Sequence, residues 1–164
     1  MNLIVSVSSD WAIGFKNDLL FHVREDMKYF KAMTTGNIVV MGQNTFFSLP
    51  GQKPLKDRIN YIISDDPTLS VEGAFVVHSL DELFEELKKY DTDKVFVIGG
   101  AMIYKTLLPY CENAYITQFN SSKEADRFFP RLDESDEWRL ASRSELFETD
   151  GGLTFTFDKY ERIK

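Results

Sequence analysis

Six short runs rich in valine and isoleucine constrain this chain more than any other feature of its sequence. They are Leu3–Val7, Ile38–Met41, Asn60–Ile63, Ala74–Val77, Lys94–Ile98 and Ala114–Phe119. Their length and β-branched content are typical of strands buried on both faces. Helical stretches lie between them, at Arg24–Met33, after Gly42, at Asp81–Lys89 and at Met102–Leu108 before Pro109. The alternation predicts an α/β fold, with helices on both faces of a largely parallel central sheet.

The C-terminal segment has a different pattern. After the turn at Asp150–Gly152, the apolar residues Leu153, Phe155 and Phe157 alternate with polar ones. This pattern predicts a half-exposed antiparallel strand, with Trp138–Leu146 as its hairpin partner. The sequence has no repeat, low-complexity tract or linker, so we expect residues 1–164 to form a single domain.

Charge and cysteine content narrow the possible partners. The formal net charge is -7, from 19 basic and 26 acidic residues, which disfavours binding to nucleic acid. Cys111 has no second cysteine to pair with, which favours a reducing compartment and predicts no metal site. The N-terminus lacks the features of a signal peptide, and no apolar run is long enough to cross a membrane. We therefore expect a cytoplasmic monomer with no membrane partner.

Two predicted strands run through glycine into a helix, at 39–45 and at 97–104. At the carboxyl ends of parallel strands, such junctions point backbone amides at a shared crevice where a pyrophosphate can bind. The full Gly-x-Gly-x-x-Gly fingerprint is absent, and a glycine after a strand is often only a turn. Together the junctions indicate a dinucleotide site, and each alone is weak.

The helix predicted after Arg24 combines a carboxylate with aromatic and apolar residues. Asp26 and Phe30 are four residues apart and share one face, and Met27 and Lys31 share the next. A carboxylate among apolar groups can relay a proton near neutral pH, because desolvation disfavours its charged form. The alternative is that Glu25 and Asp26 only stabilise the positive end of their helix.

These elements occur in an order and spacing that resemble the dihydrofolate reductase family over essentially the full length. The resembling residues are Ala12-Ile13-Gly14 with Asn17 and Leu19, Glu25-Asp26 with Phe30, Val40-Met41-Gly42 with Thr45, Leu55 with Arg58 and Asn60, Ile98-Gly99-Gly100 with Tyr104, Tyr115-Ile116-Thr117, and Asp126 with Phe129-Pro130.

The resemblance implies a fold, a reaction and a set of site residues. The fold would be that of the family, and the reaction would reduce 7,8-dihydrofolate to 5,6,7,8-tetrahydrofolate by hydride transfer from NAD(P)H, in support of one-carbon metabolism and thymidylate synthesis. Asp26 would assist protonation of the pterin, oriented by Thr117, with Leu19 and Phe21 completing the catalytic set. Antifolate inhibitors are expected ligands. The implied substrate-binding residues are Ile4, Val5, Asp26, Met27, Phe30, Lys31, Leu55, Arg58 and Thr117.

The resemblance also implies a cofactor crevice. Gly99-Gly100 and Tyr104 would lie near the nicotinamide, and the segment from Ser8 to Phe21 would be a loop that closes over the site as a lid. The implied cofactor-binding residues are Ser6, Ile13, Gly14, Asn17, Leu19, Gly42, Gln43, Asn44, Thr45, Ser64, Asp65, Ile98, Gly99, Gly100, Ala101, Met102, Ile103 and Tyr104.

Some residues depart from the family pattern. Many members hold the extra phosphate of NADPH with basic or hydroxyl side chains where this chain has Gln43, Asp65 and Met102, so the sequence indicates a weakened preference for NADPH and use of NADH. The alternative is that the two carboxylates of Asp65-Asp66 face water in a turn. Phe21 stands where the family usually has tryptophan, whose indole N–H holds a water beside the pterin, so either turnover is slower or another group holds that water.

The remaining alternatives concern function. One is a related-fold reductase that acts on the ribosylaminopyrimidine of riboflavin synthesis, which has no glutamate for Arg58 to bind. Another is a non-catalytic nucleotide-binding module, which does not explain a complete substrate pocket around Asp26. A reductase insensitive to antifolates is a third. Neither histidine matches a catalytic position of the family: His22 is predicted in a loop and His78 at a strand end.

Overall fold

A computed structural model of the chain describes residues 1–163. The strands of this part of the chain are β1 (Asn2–Val7), β2 (Ala12–Phe15), β3 (Asp18–Leu19), β4 (Ile38–Gly42), β5 (Ile59–Ile63), β6 (Phe75–Val77), β7 (Val95–Gly99), β8 (Asn113–Phe119), β9 (Arg127–Phe128), β10 (Trp138–Arg143), β11 (Phe147–Glu148) and β12 (Thr154–Arg162). Its α-helices are α1 (Arg24–Thr34), α2 (Gln43–Ser48), α3 (Leu80–Leu87) and α4 (Ala101–Leu107).

The main sheet has the order β10-β12-β8-β1-β7-β4-β5-β6, with β11 also paired to β12. Within this order the strands β8, β1, β7, β4, β5 and β6 are parallel to one another. At the β8 edge, β12 pairs antiparallel with β8, and β10 pairs antiparallel with β12. The six runs predicted from valine and isoleucine content are all strands of this sheet, each within one residue of its predicted ends. The predicted α/β fold is confirmed.

Helices cover both faces of the sheet, because the parallel strands are apolar on both sides. Leu83 of α3 and Leu107 of α4 pack into the same core cluster as Val40 of β4. On the other face, Phe46 of α2 packs against Val39 and Met41. The alternating side chains of β4 therefore enter different cores.

Helix α1 lies on the α2 face of the sheet, and its side chains are mostly exposed or half-buried. Glu25 and Asp26 occupy its first turn and Lys31 its last, which suits the helix dipole. Thr34 is its one buried residue, and Met27 is 61% exposed. The apolar side of α1 therefore borders an open cleft, which we call the α1 cleft.

The C-terminal hairpin is confirmed, but its predicted exposure is wrong. β12 lies between β8 and β10, so both of its edges are paired, and Thr156 and Asp158 are buried rather than facing water. The buried carboxylate is compensated by Arg143, whose Nε and Nη2 donate to its two oxygens at 3.0 and 2.8 Å. The Thr156 hydroxyl donates a third hydrogen bond, at 2.8 Å.

Replacing Arg143 with methionine is expected to destabilise the fold by about 2–3 kcal/mol, because it leaves the Asp158 carboxylate buried without its counter-charge. Arg143 is 48% exposed and Asp158 fully buried, so water replaces only part of the lost interaction. Urea denaturation at pH 7 measures the free energy of unfolding. Adding D158N to R143M should recover most of the loss, and a double variant no more stable than R143M would contradict this explanation.

The segment predicted as a loop from Ser8 to Phe21 contains regular structure. β2 and β3 form a hairpin, and β9 pairs with the other edge of β2. The hairpin within the predicted loop forms because Lys16 and Asn17 both adopt positive φ, at 51° and 64°, which allows a two-residue turn. Asp126 accepts the backbone N–H of Lys16 at 3.1 Å and holds the turn against the β9 segment.

No helix within residues 1–163 is both long enough and apolar enough to cross a membrane.

Candidate active site

Asp26 is held at the start of α1 by two hydroxyl groups. Ser6 of β1 and Thr117 of β8 are direct register partners on adjacent parallel strands. The Thr117 hydroxyl donates to Asp26 Oδ1 at 2.7 Å, as predicted, and the Ser6 hydroxyl donates to Oδ2. Ser6 was predicted only as a cofactor residue, and its contact with Asp26 could not be read from the spacing of the sequence.

The surroundings of Asp26 have opposing effects on its charge. Burial raises the pKa of the carboxyl above its ordinary value, and the hydrogen bonds from Ser6 and Thr117 offset only part of the rise. A carboxyl with a raised pKa keeps its proton to higher pH than an exposed aspartate does. Asp26 can therefore both bind a polar group and take part in proton transfer.

Apolar side chains border this carboxyl and face the α1 cleft. Ile4 lies two residues before Ser6 and is on the same face of β1, and Phe30 lies one turn after Asp26. Met27, next to Asp26 in the helix, and Leu19 of β3 are each 61% exposed, which is unusual for large apolar residues. The arrangement suits a flat apolar ring that carries polar groups on one edge.

Val5 and Phe21 are placed differently from the rest of the predicted set. The side chain of Val5 lies in the core cluster on the other face of the sheet, so only its backbone borders the cleft. Phe21 is buried, stacks on Phe119 with ring centroids 4.4 Å apart, and has Lys123 Nζ 4.8 Å above its ring. Lys123 also donates to the carbonyl of Leu20 at 2.8 Å and so ties the end of the lid to the segment after β8.

The far end of α1 positions Arg58. The Arg58 Nη1 donates to Thr34 Oγ1 at 3.1 Å, and its Nε donates to the carbonyl of Lys56 at 2.9 Å. The Thr34 hydroxyl in turn donates to the carbonyl of Phe30 at 2.8 Å. Thr34 was not among the predicted site residues, although a threonine near the end of a highly charged helix is a detectable signal.

Buried Asn60 orders the loop that carries Arg58. Its Oδ1 accepts the backbone N–H of Leu55 at 2.9 Å, and its Nδ2 donates to the carbonyls of Leu55 and Arg58 at 3.0 and 3.1 Å. Leu55 packs against the cluster beneath α2. A cavity of about 750 Å³ between this loop and residues 69–73 includes Leu55 and Arg58 in its lining.

Helix α1 sets the distance between its two polar ends. Asp26 and Thr34 are eight residues apart, which corresponds to about 12 Å along the helix axis. Exposed Lys31 lies one turn before Thr34 and adds positive charge at the Arg58 end. The cleft therefore suits an elongated molecule with a hydrogen-bonding ring at one end and a carboxylate at the other.

The two glycine junctions come together, as the sequence predicted. Met41 pairs with Gly99 across β4 and β7, and a Cβ atom at Gly42 would lie 2.9 Å from Cγ1 of Ile103. Gly99 has φ +129°, and a Cβ there would lie 3.4 Å from Thr45 Oγ1. A side chain at Gly42 would collide with Ile103 of α4, and Gly99 has a positive φ that other residues rarely adopt, so the glycines let the two junctions pack closely together.

Tyr104 connects this crevice to the Asp26 end of the site. It is buried, and its hydroxyl donates to the carbonyl of Ile4 at 2.8 Å. Burial raises the pKa of Tyr104, with a further rise from the negative charge of Asp26, so its proton stays in place. The other predicted residues beside the junctions are Asn44, Ile98, Gly100, Ala101 and Ile103.

The outer end of the crevice lies at the ends of β4 and β5. There the Ser64 hydroxyl donates to Oε1 of Gln43. Asp65 is exposed, and Met102 is 78% exposed, so neither is fixed by its neighbours. Ile13, Gly14 and Asn17, also predicted to contact the cofactor, belong to the β2–β3 hairpin or its turn.

Comparison with known proteins identifies the family. A family model described as dihydrofolate reductase matches residues 1–162. The dihydrofolate reductase of Schistosoma mansoni is 37% identical over 183 residues, covering 98% of this chain and 95% of its own. That of Bacillus subtilis (strain 168) is 36% identical over 142 residues, covering 87% and 82%. The chain belongs to the dihydrofolate reductase family.

A solved structure supports the same assignment for the fold. Dihydrofolate reductase from Enterococcus faecalis, complexed with NADP(H) and RAB-propyl, matches with a TM-score of 0.87 and 30% identity. The match covers 99% of this chain and 96% of that one. This chain is thus a dihydrofolate reductase in fold and in activity, and it reduces dihydrofolate to tetrahydrofolate.

Proposed function

We propose that the α1 cleft binds dihydrofolate with its pterin at Asp26 and its glutamate at Arg58. The observation that supports this orientation best is the half-buried Asp26 carboxyl, held by Ser6 and Thr117 at the apolar end of the cleft. The other end carries Arg58, fixed by Thr34 and able to bind a carboxylate through two parallel N–H groups. Ile4, Leu19, Met27, Phe30 and Leu55 supply the apolar walls.

Asp26 would bind the amino group and ring nitrogen of the pterin and assist its protonation. Ser6 and Thr117 orient the carboxyl, so the substrate meets a fixed acceptor and donor rather than a mobile one. The raised pKa of Asp26 favours proton uptake from solvent and transfer toward the ring. The lid from Ser8 to Phe21, with exposed Leu19 at β3, excludes water from this end when it covers the substrate.

The glycine junctions would hold NADPH, whose nicotinamide supplies the hydride. Gly42 and Gly99 let the two junctions pack closely, and Thr45 lies against Gly99 and Gly100 with a hydroxyl available to a phosphate. Tyr104 would keep the backbone of Ile4 in place beneath the reacting rings. Gln43, Asp65 and Met102 bring no positive charge to the adenosine end, which supports some use of NADH.

We further propose that residues 1–164 act as one domain and as a cytoplasmic monomer. The single buried Cys111 needs no oxidising compartment. Antifolate inhibitors would occupy the pterin end of the α1 cleft and compete with the substrate. The net charge of -7 argues against nucleic acid as a partner.

The test is loss of cofactor absorbance with dihydrofolate and either NADPH or NADH, over a range of cofactor concentrations. Tetrahydrofolate formation with a higher kcat/KM for NADPH, and measurable turnover with NADH, is the expected result. Strict dependence on NADPH would contradict the interpretation of Gln43 and Asp65. No product with either cofactor would overturn the proposed sites.

A further inference from the structure

A cavity of about 460 Å³ lies on the face of the sheet opposite to the α1 cleft, and we call it the β12 cavity. Its lining includes Gln118 of β8 and Thr156 and Tyr160 of β12. The side chain of Thr117 reaches Asp26 on the α1 face, and successive residues of a strand point to opposite faces, so Gln118 points away from the cleft. Tyr160 belongs to the core cluster that packs against α3 and α4. The β12 cavity is therefore separate from the substrate cleft.

Two nearly buried side chains line the β12 cavity and carry donors that are not used inside the protein. Trp11 is 1% exposed and Tyr160 is 2% exposed. Within residues 1–163, neither Nε1 of Trp11 nor the hydroxyl of Tyr160 bonds to a protein group, although every fully buried side-chain nitrogen or oxygen there has a partner. The small exposed parts of both side chains are thus their polar atoms, at the cavity surface. Donors of this kind are normally paired, so they indicate a bound acceptor.

Arg143 adds a third donor to the same wall. Its Nε and Nη2 donate to Asp158, which leaves Nη1 available on the cavity side. The charges near the wall largely cancel, because Arg143 pairs with Asp158 and Arg131 pairs with Asp133. Glu134 also contacts Arg131 and makes the surroundings slightly acidic. The wall therefore presents donors without an unpaired positive charge, which favours an uncharged acceptor over an anion.

The hydroxyl of Tyr160 keeps its proton and can donate it to a ligand. Burial, together with the negative charges of Asp158 and Asp133, raises the pKa of Tyr160 to about 12. A carbonyl oxygen has two lone pairs and can accept from Trp11 and Tyr160 at the same time. Leu146, which is 62% exposed, lies in the same lining and offers contact to an apolar group. The chemistry of the wall fits a small apolar molecule that carries a carbonyl.

Trp11 connects the β12 cavity to the lid and to the active site. Its φ is 62°, an unusual value for a large side chain, and its N–H donates to the carbonyl of Ser8, the first residue of the lid, at 3.0 Å. Its ring stacks on Phe129 at a centroid distance of 6.2 Å, and Phe129 meets the edge of Tyr104 at 5.4 Å. Tyr104 holds the carbonyl of Ile4. A ligand that restrains Trp11 therefore acts on both the lid and the floor of the site.

We propose that the β12 cavity is a second ligand site, which binds a small uncharged molecule through a carbonyl oxygen that accepts from Trp11 and Tyr160. Its occupant restrains Trp11 and the first residues of the lid. Because motion of a lid limits turnover in many enzymes, the occupant slows turnover without competing with dihydrofolate. The ligand site does not depend on the proposed orientation of the substrate or the cofactor.

The experiment uses acetophenone as the probe, and benzoate as a molecule of similar shape that carries a negative charge. The chain has two tryptophans, so the ¹⁵N-labelled protein gives two indole N–H signals in NMR, and W11F identifies that of Trp11. Acetophenone should move the Trp11 signal saturably and leave that of Trp138 in place. Benzoate at equal concentration should move the Trp11 signal much less.

Y160F removes one donor and keeps the ring, so it should weaken acetophenone binding by roughly 3- to 10-fold. Y110F is the matched control, because Tyr110 is 53% exposed and lies outside the cavity lining. It should bind acetophenone as the wild type does. In initial-rate measurements, saturating acetophenone should lower kcat by roughly 2- to 10-fold and leave KM for dihydrofolate unchanged.

The outcomes test the site and its coupling separately. If the Trp11 signal does not move, if benzoate moves it equally, or if Y160F binds as tightly as Y110F, the β12 cavity is not a site for a carbonyl ligand. If acetophenone binds there but kcat is unchanged, the coupling to the lid is wrong. A rise in KM at constant kcat would place the probe in the α1 cleft and also contradict the coupling. Failure of the proposed substrate orientation would show instead in the variants of Asp26 and Arg58.

Discussion

Replacing Asp26 with asparagine is expected to lower kcat for dihydrofolate reduction by about 10²- to 10⁴-fold at pH 8, the range that a positioned acid or base contributes. Asparagine can still bond to Ser6 and Thr117, so the cleft keeps its shape, but it cannot take up or transfer a proton. The deficit should shrink at low pH, where solvent protonates the substrate directly. Initial rates across pH 5–9 with saturating cofactor measure both effects.

Glu25 provides the control for this variant. It is the adjacent carboxylate in the same helical turn and is exposed, so E25Q removes one negative charge without touching the cleft. Wild-type turnover in D26N at pH 8, or an equal loss in E25Q, would contradict the role of Asp26. A loss confined to D26N assigns the effect to the Asp26 carboxyl.

D26N should also change the thermal stability of the protein, in a direction that follows from the raised pKa of Asp26. The folded protein binds this proton more tightly than the unfolded chain, so Asp26 favours folding at low pH and loses that contribution as pH rises through its folded pKa. D26N should therefore raise Tm relative to the wild type at pH 8, by roughly 2–5 °C. The difference should vanish below about pH 4, the ordinary pKa of aspartate. A Tm that falls at pH 8 would show that asparagine disturbs the cleft.

Replacing Arg58 with leucine is expected to raise KM for dihydrofolate by roughly 10²-fold and to change kcat little, because the lost contact to the glutamate is remote from the reacting ring. The closest control is K56M, which removes a nearby exposed cation and measures general electrostatic attraction alone. Truncated substrate that lacks the glutamate should react equally with R58L and wild type. An unchanged KM in R58L would place the glutamate elsewhere.

Thr34 tests whether Arg58 must be held in place. T34V removes the hydroxyl that accepts from Nη1 at 3.1 Å but keeps the size of the side chain. We expect a rise in KM of roughly 3- to 10-fold, smaller than for R58L, since the guanidinium remains but is less ordered. T34V combined with R58L should be no worse than R58L alone, because the hydroxyl acts through the arginine.

The fold could be predicted from the sequence because its parallel strands are buried on both faces. Runs such as Ile38–Met41 are then continuous and easy to detect. The burial of Thr156 and Asp158 in β12 could not be predicted in this way. The Asp158 carboxylate is paired with Arg143 across the hairpin and accepts from Thr156, and neither contact can be detected from the local pattern. The β2–β3 hairpin was missed because its turn uses Lys16, a residue that rarely adopts positive φ.

The contacts of the site also divide into those that the sequence could predict and those that it could not. The contact of Thr117 with Asp26 followed from the family resemblance, and the structure confirms it. The contacts of Ser6, Thr34 and His78 depend on which strands lie side by side, and the separation of residues along the chain carries no information on that. His78 and Ser64 are 14 residues apart and meet only because β5 and β6 are parallel neighbours.

The weak attachment of α1 couples ligand binding to local unfolding. Because Thr34 is the one residue that α1 buries, few apolar contacts oppose its separation from the sheet, and its amides should exchange with solvent faster than those of α4, which buries Tyr104 and Leu107. A ring that packs between Met27 and Phe30 supplies the contacts that the protein's own core does not. Part of the binding free energy then goes into ordering the helix. Substitutions that pre-order α1 should therefore raise the affinity of the protein for its ligands, and rigid inhibitors should bind more tightly, without any new contact.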